Sequence, residues 1–256
     1  MRNALITGAS SGIGEHIAYI LASRGYNLII VSRSKEKLSR VKQYVTNRYG
    51  VKVKCVATDL SVEANCYKLY ELTKNMDPEI LINNAGFGVY GNFSESSLEE
   101  ELNMIDLNVK AVHILTKLYL ADMLKENRGH ILNVASIAGF AAGPLMSGYY
   151  ASKNYVYRLT LAIREEVKKQ NKDVKICTLC PGPTDTLFNE RAKVSFAFGS
   201  LDARFVAEKG IEGLFEDKAV IVPGVFFKIT AFLEKYFPDR LVAKVAYLAQ
   251  RKKKAK

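Results

Sequence analysis

Thr7-Gly8-Ala9-Ser10-Ser11-Gly12-Ile13-Gly14 is the stretch whose reading decides the fold. Ala4–Thr7 before it is a short apolar run of strand type, and Ile13–Ser23 after it carries apolar residues at the helical period. In such a strand–turn–helix unit Gly8 allows a tight turn, Gly12 lets backbone approach a diphosphate, and Gly14 permits close helix–strand packing. Ser10, Ser11 and Ile13 belong to the same turn, where a helix N-terminus offers unpaired N–H groups and a positive dipole end to phosphate. The spacing is G-x-x-x-G-x-G rather than G-x-G-x-x-G, so a merely structural turn stays open on this stretch alone.

Outward from it, short apolar runs alternate with amphipathic stretches. Strands are expected at Ala4–Thr7, Asn27–Ser32, Lys52–Ala57, Ile80–Asn83, His130–Val134, Val174–Leu179 and Ala219–Val222. Helical spacing marks Ile13–Ser23, Lys35–Asn47, Ala64–Lys74, Glu99–Lys125 and Tyr149–Lys169. This order implies an α/β, Rossmann-like, doubly wound parallel sheet of seven strands with helices on both faces. No linker interrupts the series, so residues 1–224 read as one catalytic domain, followed by amphipathic helices and a basic tail over 225–256. The irregular stretch after Cys180, rich in Pro, Gly and Phe, suggests a lid over 183–216, or else a loop packed permanently on the core.

The composition is that of an ordinary globular protein, with 256 residues, 48% hydrophobic and 25% charged. A chain of this mass buries roughly 70% of its unfolded surface without metal or disulfide. Five of the eleven net positive charges sit in the last six residues, as Arg251, Lys252, Lys253, Lys254 and Lys256. Binding of nucleic acid across a whole face is thus not expected. The chain shows neither a secretory leader nor an apolar run long enough to span a membrane. With four cysteines and no export signal, reduced thiols and a cytoplasmic location are expected.

Four further elements fall at the carboxyl ends of strands, where open parallel sheets bind ligands. They are Asn83-Asn84-Ala85-Gly86, Ser136, Tyr149-x-x-x-Lys153 and Pro181-Gly182-Pro183-Thr184-Asp185-Thr186. With the glycine turn they make T-G-x-x-x-G-I-G, N-N-A-G, S…Y-x-x-x-K and P-G-x-x-x-T, in order and over nearly the whole length. In this the chain resembles the short-chain dehydrogenase/reductase family, most of all its 3-oxoacyl reductase and hydroxysteroid dehydrogenase types.

The resemblance implies Asn108, Ser136, Tyr149 and Lys153 as catalytic residues. Tyr149 would be the acid/base, Ser136 the hydroxyl holding the substrate oxygen, and Asn108 the anchor of a proton relay to Lys153. A free phenol titrates near ~10, so proton transfer near neutral pH needs ~4 kcal/mol of help. An ammonium about 4 Å away supplies ~4 kcal/mol at an effective dielectric near 20, and Lys153 lies one helical turn on. Tyr150 is also within reach of Lys153, but the family pattern selects Tyr149. Tyr70 and Lys74 share the spacing without chemistry around them. The resemblance also implies cofactor contacts from Asp59, Leu60, Asn84, Ala85, Gly86, Pro181, Gly182, Thr184 and Thr186. For Asp59 a helix N-cap is the plain alternative.

Sites for NAD place a carboxylate at the end of the second strand to bind the ribose 2′-OH. Asn27–Ser34 holds no Asp or Glu; Ser32 and Arg33 stand there instead, a hydroxyl and a guanidinium suited to a 2′-phosphate. NADP(H) is therefore expected over NAD(H). Phe87, Val89, Phe140, Leu145, Met146, Phe188, Phe196 and Phe198 would wall the nicotinamide end, favouring a hydrophobic ketone and its secondary alcohol over a sugar.

Other signals carry less. Cys177-x-x-Cys180 falls in a strand, where residues three apart face opposite ways, so buried inert thiols are expected. His16, His113 and His130 show no metal-ligand spacing, and no metal is expected. Val225–Phe237 and Leu241–Leu248 are apolar-rich and end in the lysine cluster. They could close the cleft, make a subunit contact, or lie weakly on an anionic membrane. By analogy with the family, pairing through the long helices Glu99–Lys125 and Tyr149–Lys169 would give a dimer or tetramer. A non-catalytic NADP-binding or membrane-associated protein is the alternative class.

Overall fold

A computed structural model describes residues 2–186, 200–234 and 236–251. Seven parallel strands run β1 (Asn3–Thr7), β2 (Asn27–Ser32), β3 (Val53–Ala57), β4 (Pro78–Asn83), β5 (Gly129–Val134), β6 (Val174–Leu179) and β7 (Val220–Ile221). They lie in the order β3-β2-β1-β4-β5-β6-β7. The order reverses between β1 and β4, which opens a crevice at their carboxyl ends. Register follows the apolar runs: Leu5 faces Ile29 on one side and Leu81 on the other.

The helices are α1 (Gly12–Ser23), α2 (Lys35–Tyr49), α3 (Glu63–Thr73), α4 (Leu98–Ile105), α5 (Val112–Glu126), α6 (Ser147–Lys169), α7 (Ala203–Phe215), α8 (Val225–Glu234) and α9 (Asp239–Arg251). Each strand sends alternate side chains to opposite faces, so the sheet separates two cores. Ile6, Ile30 and Ile82 pack with α1, α2 and α7 on one face, and Leu5, Ile29 and Leu81 pack with α3 and α5 on the other. A π-helical turn, Asp106–Ala111, joins α4 to α5, so the long helix expected over Glu99–Lys125 contains one widened turn.

The lid reading over 183–216 needs correction. Its second half is α7, whose Val206, Ala207, Ile211 and Leu214 are wholly buried beside α1. That helix is a fixed part of the core, because its apolar side chains fill the groove against the sheet. Phe188, Phe196 and Phe198 lie outside the described residues, as do Lys252, Lys253, Lys254 and Lys256.

Candidate active site

A cavity of about 740 Å³ runs along the carboxyl ends of β1, β2, β4 and β5. The glycine turn forms its floor. Gly12 has φ +57°, and a side chain there would stand 2.7 Å from Thr186 Cγ2. Gly14 lies against the Gly8 carbonyl, and any Cβ would meet Asn84 Nδ2 at 2.5 Å. At Gly12 the backbone is open to a ligand, and at Gly14 helix and strand pack closely, only because no Cβ is present. The N-cap of α1, Ser11, has no side-chain capping bond, which leaves the first-turn N–H groups of that helix directed at the cavity. Ser10, Ser11, Gly12 and Ile13 line it, while Gly14 holds the turn from behind.

Thr7 ties this turn to the next motif. Its hydroxyl accepts from the N–H groups of Asn84 and Ala85, both at 3.0 Å, and Asn84 Nδ2 donates back to the carbonyls of Thr7 and Gly8. Asn84, Ala85 and Gly86 are thereby fixed along the crevice wall. Below them runs a buried polar ladder: Asn83 donates to Thr116 and Asn133, and Asn133 to Thr160.

At the β2 end, Ser32 and Arg33 line the cavity together with Ser34 and Lys37. Ser34 caps α2 by accepting from the Lys37 N–H, which turns the first helical turn toward the crevice. Arg33 stands 3.8 Å from Asp59 Oδ2. Asp59 also accepts from the Ser61 N–H and hydroxyl, so it braces a turn before α3 and is not that helix's N-cap, which is Val62. Asp59 and Leu60 both line the cavity.

The residues expected to be catalytic converge at the other end. Ser136 follows β5, accepts from the Ala138 N–H at 3.1 Å and is nearly buried. Tyr149 shares a hydrogen bond with it. Burial pushes the Tyr149 phenol up to about 12, with the Ser136 hydrogen bond pulling the other way. Lys153, one turn along α6, has Nζ 5.9 Å from the Tyr149 ring centre and donates to the Val134 carbonyl at 2.9 Å. Burial pulls its ammonium down to about 8. The expected lowering of the phenol by Lys153 is thus absent in the protein alone: burial is the largest influence, and the opposing pull comes from Ser136. A protonated phenol beside a hydroxyl is a proton donor ready for a carbonyl oxygen.

Asn108 sits in the π-helical turn, fully buried. Its Oδ1 accepts from the Phe87 N–H, and its Nδ2 donates to the Phe87 carbonyl and to Ser152 Oγ. Its side chain therefore holds the Gly86–Phe87 backbone to α6, and a Cβ on Gly86 would meet both Asn108 Oδ1 and Lys153 Nζ. Pro181 accepts from Ser136 Oγ and the Ile137 N–H, and Thr184 donates to the Gly182 carbonyl. Gly182, Thr184 and Thr186 line the cavity; Pro181 stands behind it.

Tyr150 and Tyr70 are set apart by their contacts. Tyr150 Oη accepts from Gln250 Nε2 at 2.6 Å, and its ring lies under Gly143. Tyr70 donates to Asp122, and Lys74 pairs with Glu71, far from the crevice. Of the residues expected to wall the substrate, Phe87 and Met146 line the cavity. Phe140 and Leu145 do not: Phe140 turns away onto the Tyr157 ring at 4.9 Å, and Leu145, at φ +64°, offers its carbonyl to the Gly91 N–H. Phe188 is outside the described residues. Lys37, Tyr150 and Gln250 are lining residues that sequence reasoning missed. Lys37 follows a recognisable Ser N-cap, but Gln250 has no local signal at all.

Cys177 and Cys180 are buried in different clusters, and burial pushes both thiols up to about 12, so neither is reactive. Among the described residues no His, Cys, Asp and Glu group could hold a metal. Nicotinamide dinucleotide fits this crevice: side-chain-free backbone lies at a helix N-terminus, with hydroxyls and cations at one end and Ser136, Tyr149 and Lys153 at the other.

The comparisons agree with this geometry. Residues 2–194 match the family model described as short chain dehydrogenase. A very-long-chain 3-oxoacyl-CoA reductase of Pyrenophora tritici-repentis is 37% identical over 64% of this chain, and the chain spans only 50% of that relative's length. An uncharacterised oxidoreductase of Staphylococcus saprophyticus is 32% identical over 82% of this chain and 90% of its own. Among solved structures, a short-chain dehydrogenase from Sphingobium yanoikuyae in complex with NADPH has a TM-score of 0.84 at 27% identity, covering 92% of this chain and 93% of that one. A family protein from Burkholderia phymatum in complex with NAD gives 0.83 at 28%, covering 91% and 92%. The bulky-bulky ketone specific alcohol dehydrogenase of Comamonas testosteroni gives 0.79 at 25%, covering 93% and 95%. With the motifs in order, the crevice at the strand reversal and a matching model over most of its length, the chain belongs to the short-chain dehydrogenase family.

Proposed function

We propose that this oxidoreductase interconverts a hydrophobic ketone and its secondary alcohol with NADP(H), and that Tyr149 is the acid/base. The observation that carries the reading is the Ser136–Tyr149 hydrogen bond beside the buried Lys153 ammonium, at the end of a dinucleotide-shaped crevice. A bound nicotinamide would supply or accept the hydride. Ser136 and Tyr149 hold the carbonyl oxygen, and Tyr149 donates its proton as negative charge develops there. Lys153 stabilises the resulting phenolate, and Asn108 keeps the Phe87 backbone and α6 in register so that this geometry persists. In oxidation the same groups act in reverse.

Arg33, Lys37, Ser32 and Ser34 support preference for a 2′-phosphate, since the β2 end carries cations and hydroxyls and no carboxylate of its own. Phe87 and Met146 make the substrate end apolar. That supports the 3-oxoacyl and hydroxysteroid types of substrate and fits the bulky ketones of the Comamonas enzyme. Leu98, Leu102 and Ile105 form an exposed apolar stripe on α4, which supports pairing of two copies there. The free thiols fit a reducing compartment such as the cytoplasm. The test is NADPH oxidation across a panel of steroid, acyl and small ketones. Tyr149→Phe should cut kcat at least 100-fold with the NADPH affinity retained; undiminished turnover would remove Tyr149 from the mechanism.

A further inference from the structure

Two consecutive helices, α8 and α9, turn apolar side chains to solvent. On α8, Phe226 is 67% exposed, Ile229 53% and Phe232 57%, with Leu233 beside them, while Phe227 packs inward against Gly182. On α9, Leu241, Val245 and Leu248 form an exposed stripe at helical spacing, and Arg240, Lys244 and Arg251 run alongside it. The inner edge of α9 is held against the domain. Buried Gln250 donates to Tyr150, and its carbonyl accepts from Tyr90 Oη. The outer stripe is therefore not what docks the helix on the domain, and single-copy soluble proteins rarely leave apolar surface of this kind uncovered.

We propose that the outer faces of α8 and α9 lie on an anionic phospholipid surface, with the apolar side chains in the head-group boundary and the basic ones against lipid phosphates. No helix among the described residues is long and apolar enough to cross a membrane. An apolar stripe flanked by Lys and Arg is the pattern of a helix lying in the interface plane. The charge fits one partner. After Asp239 the sequence holds no Asp or Glu, and Arg240, Lys244, Arg251, Lys252, Lys253, Lys254 and Lys256 are all basic. A second copy fits poorly, because a twofold contact would set these cations against their own counterparts. Since Gln250 and Tyr150 line the crevice, the lipid-facing helix is also one of its walls. If the proposed ketone reduction is right, an apolar substrate would enter from the lipid side, but the docking itself does not depend on that activity.

The test is flotation of the full chain with phosphatidylcholine vesicles, with and without phosphatidylglycerol. The chain should float with the anionic vesicles and be released by high salt. Each basic residue at the surface is worth about a fivefold change in partitioning, so deleting residues 252–256 should weaken binding at least tenfold. The triple variant Phe226→Ser, Ile229→Ser, Val245→Ser should do the same while NADPH binding and the circular dichroism spectrum hold. Absence of flotation, or equal binding to neutral and anionic vesicles, overturns the proposal. So does a triple variant that falls to a smaller oligomer by light scattering while the wild type binds no vesicles, which would assign the face to a second copy. Vesicle binding without any ketone turnover would leave the docking standing and remove only the enzymatic reading.

Discussion

Arg33→Ala should separate the two cofactors. Arg33 leaves the end of β2 more than half exposed, with its guanidinium 3.8 Å from Asp59 Oδ2. At that distance the Coulomb attraction is ~1 kcal/mol in water and ~4 kcal/mol at an effective dielectric of 20. Pairs this exposed deliver only ~0.2–1 kcal/mol in practice, because solvent and ions screen them. A phosphate dianion offers the guanidinium two parallel charge-assisted hydrogen bonds, together worth ~1.5–3 kcal/mol. Turning from Asp59 to a 2′-phosphate therefore gains ~0.5–3 kcal/mol, a factor of roughly 2–150 in affinity. Lys37 stays on the same wall, so the variant should weaken NADPH by about 5- to 100-fold without abolishing binding. NADH, which has no 2′-phosphate, should change less than about twofold. Fluorescence titration of each reduced dinucleotide, with no ketone present, reads both constants. Equal loss for the two cofactors, or no loss for either, would refute the assignment of this corner to a 2′-phosphate.

The buried Lys153 predicts a pH limit. Its pKa is lowered to about 8, so the ammonium is present below that pH and lost as pH rises through it, while Tyr149 at about 12 stays protonated throughout. In the reduction direction kcat/KM for NADPH, which reports the free protein, should fall about tenfold per pH unit above about 8. Lys153→Met should be slow at every pH and lack that break in a stopped-flow or steady-state profile. Gly14→Ala places a methyl against the Gly8 carbonyl and Asn84, and it should cost ~1–3 kcal/mol, or roughly 2–10 °C in Tm, with loss of dinucleotide binding. Calorimetry with and without NADPH would show both effects. Asn108→Ala removes three buried hydrogen bonds, two of them to the Phe87 backbone, so unfolding in urea should show ~2–4 kcal/mol of lost stability. Asn108→Asp, which sets a carboxyl oxygen against the Phe87 carbonyl in a fully buried site, should lose at least as much.

Much of this molecule was legible from the chain alone. Strand runs such as Asn27–Ser32 are apolar on both faces because helices cover both, and the helices between them keep a plain three-to-four period. Local order and motif spacing therefore brought out the sheet, the glycine turn and the grouping of Ser136, Tyr149 and Lys153 at one crevice. These depend on neighbours within a turn or at a strand end. What only the tertiary structure decided depends on residues far apart. Arg33 meets Asp59 across the β2–β3 edge, and Gln250 reaches Tyr150 from a hundred residues away. Phe140 turns its ring to Tyr157 instead of the crevice, and α7 becomes core because α1 offers it a groove. The phenol of Tyr149 goes up and not down because burial, a property of the assembled fold, outweighs the pull of Ser136. A sequence states which groups can interact; desolvation and long-range packing, which set which interaction prevails, exist only once the chain has closed around them.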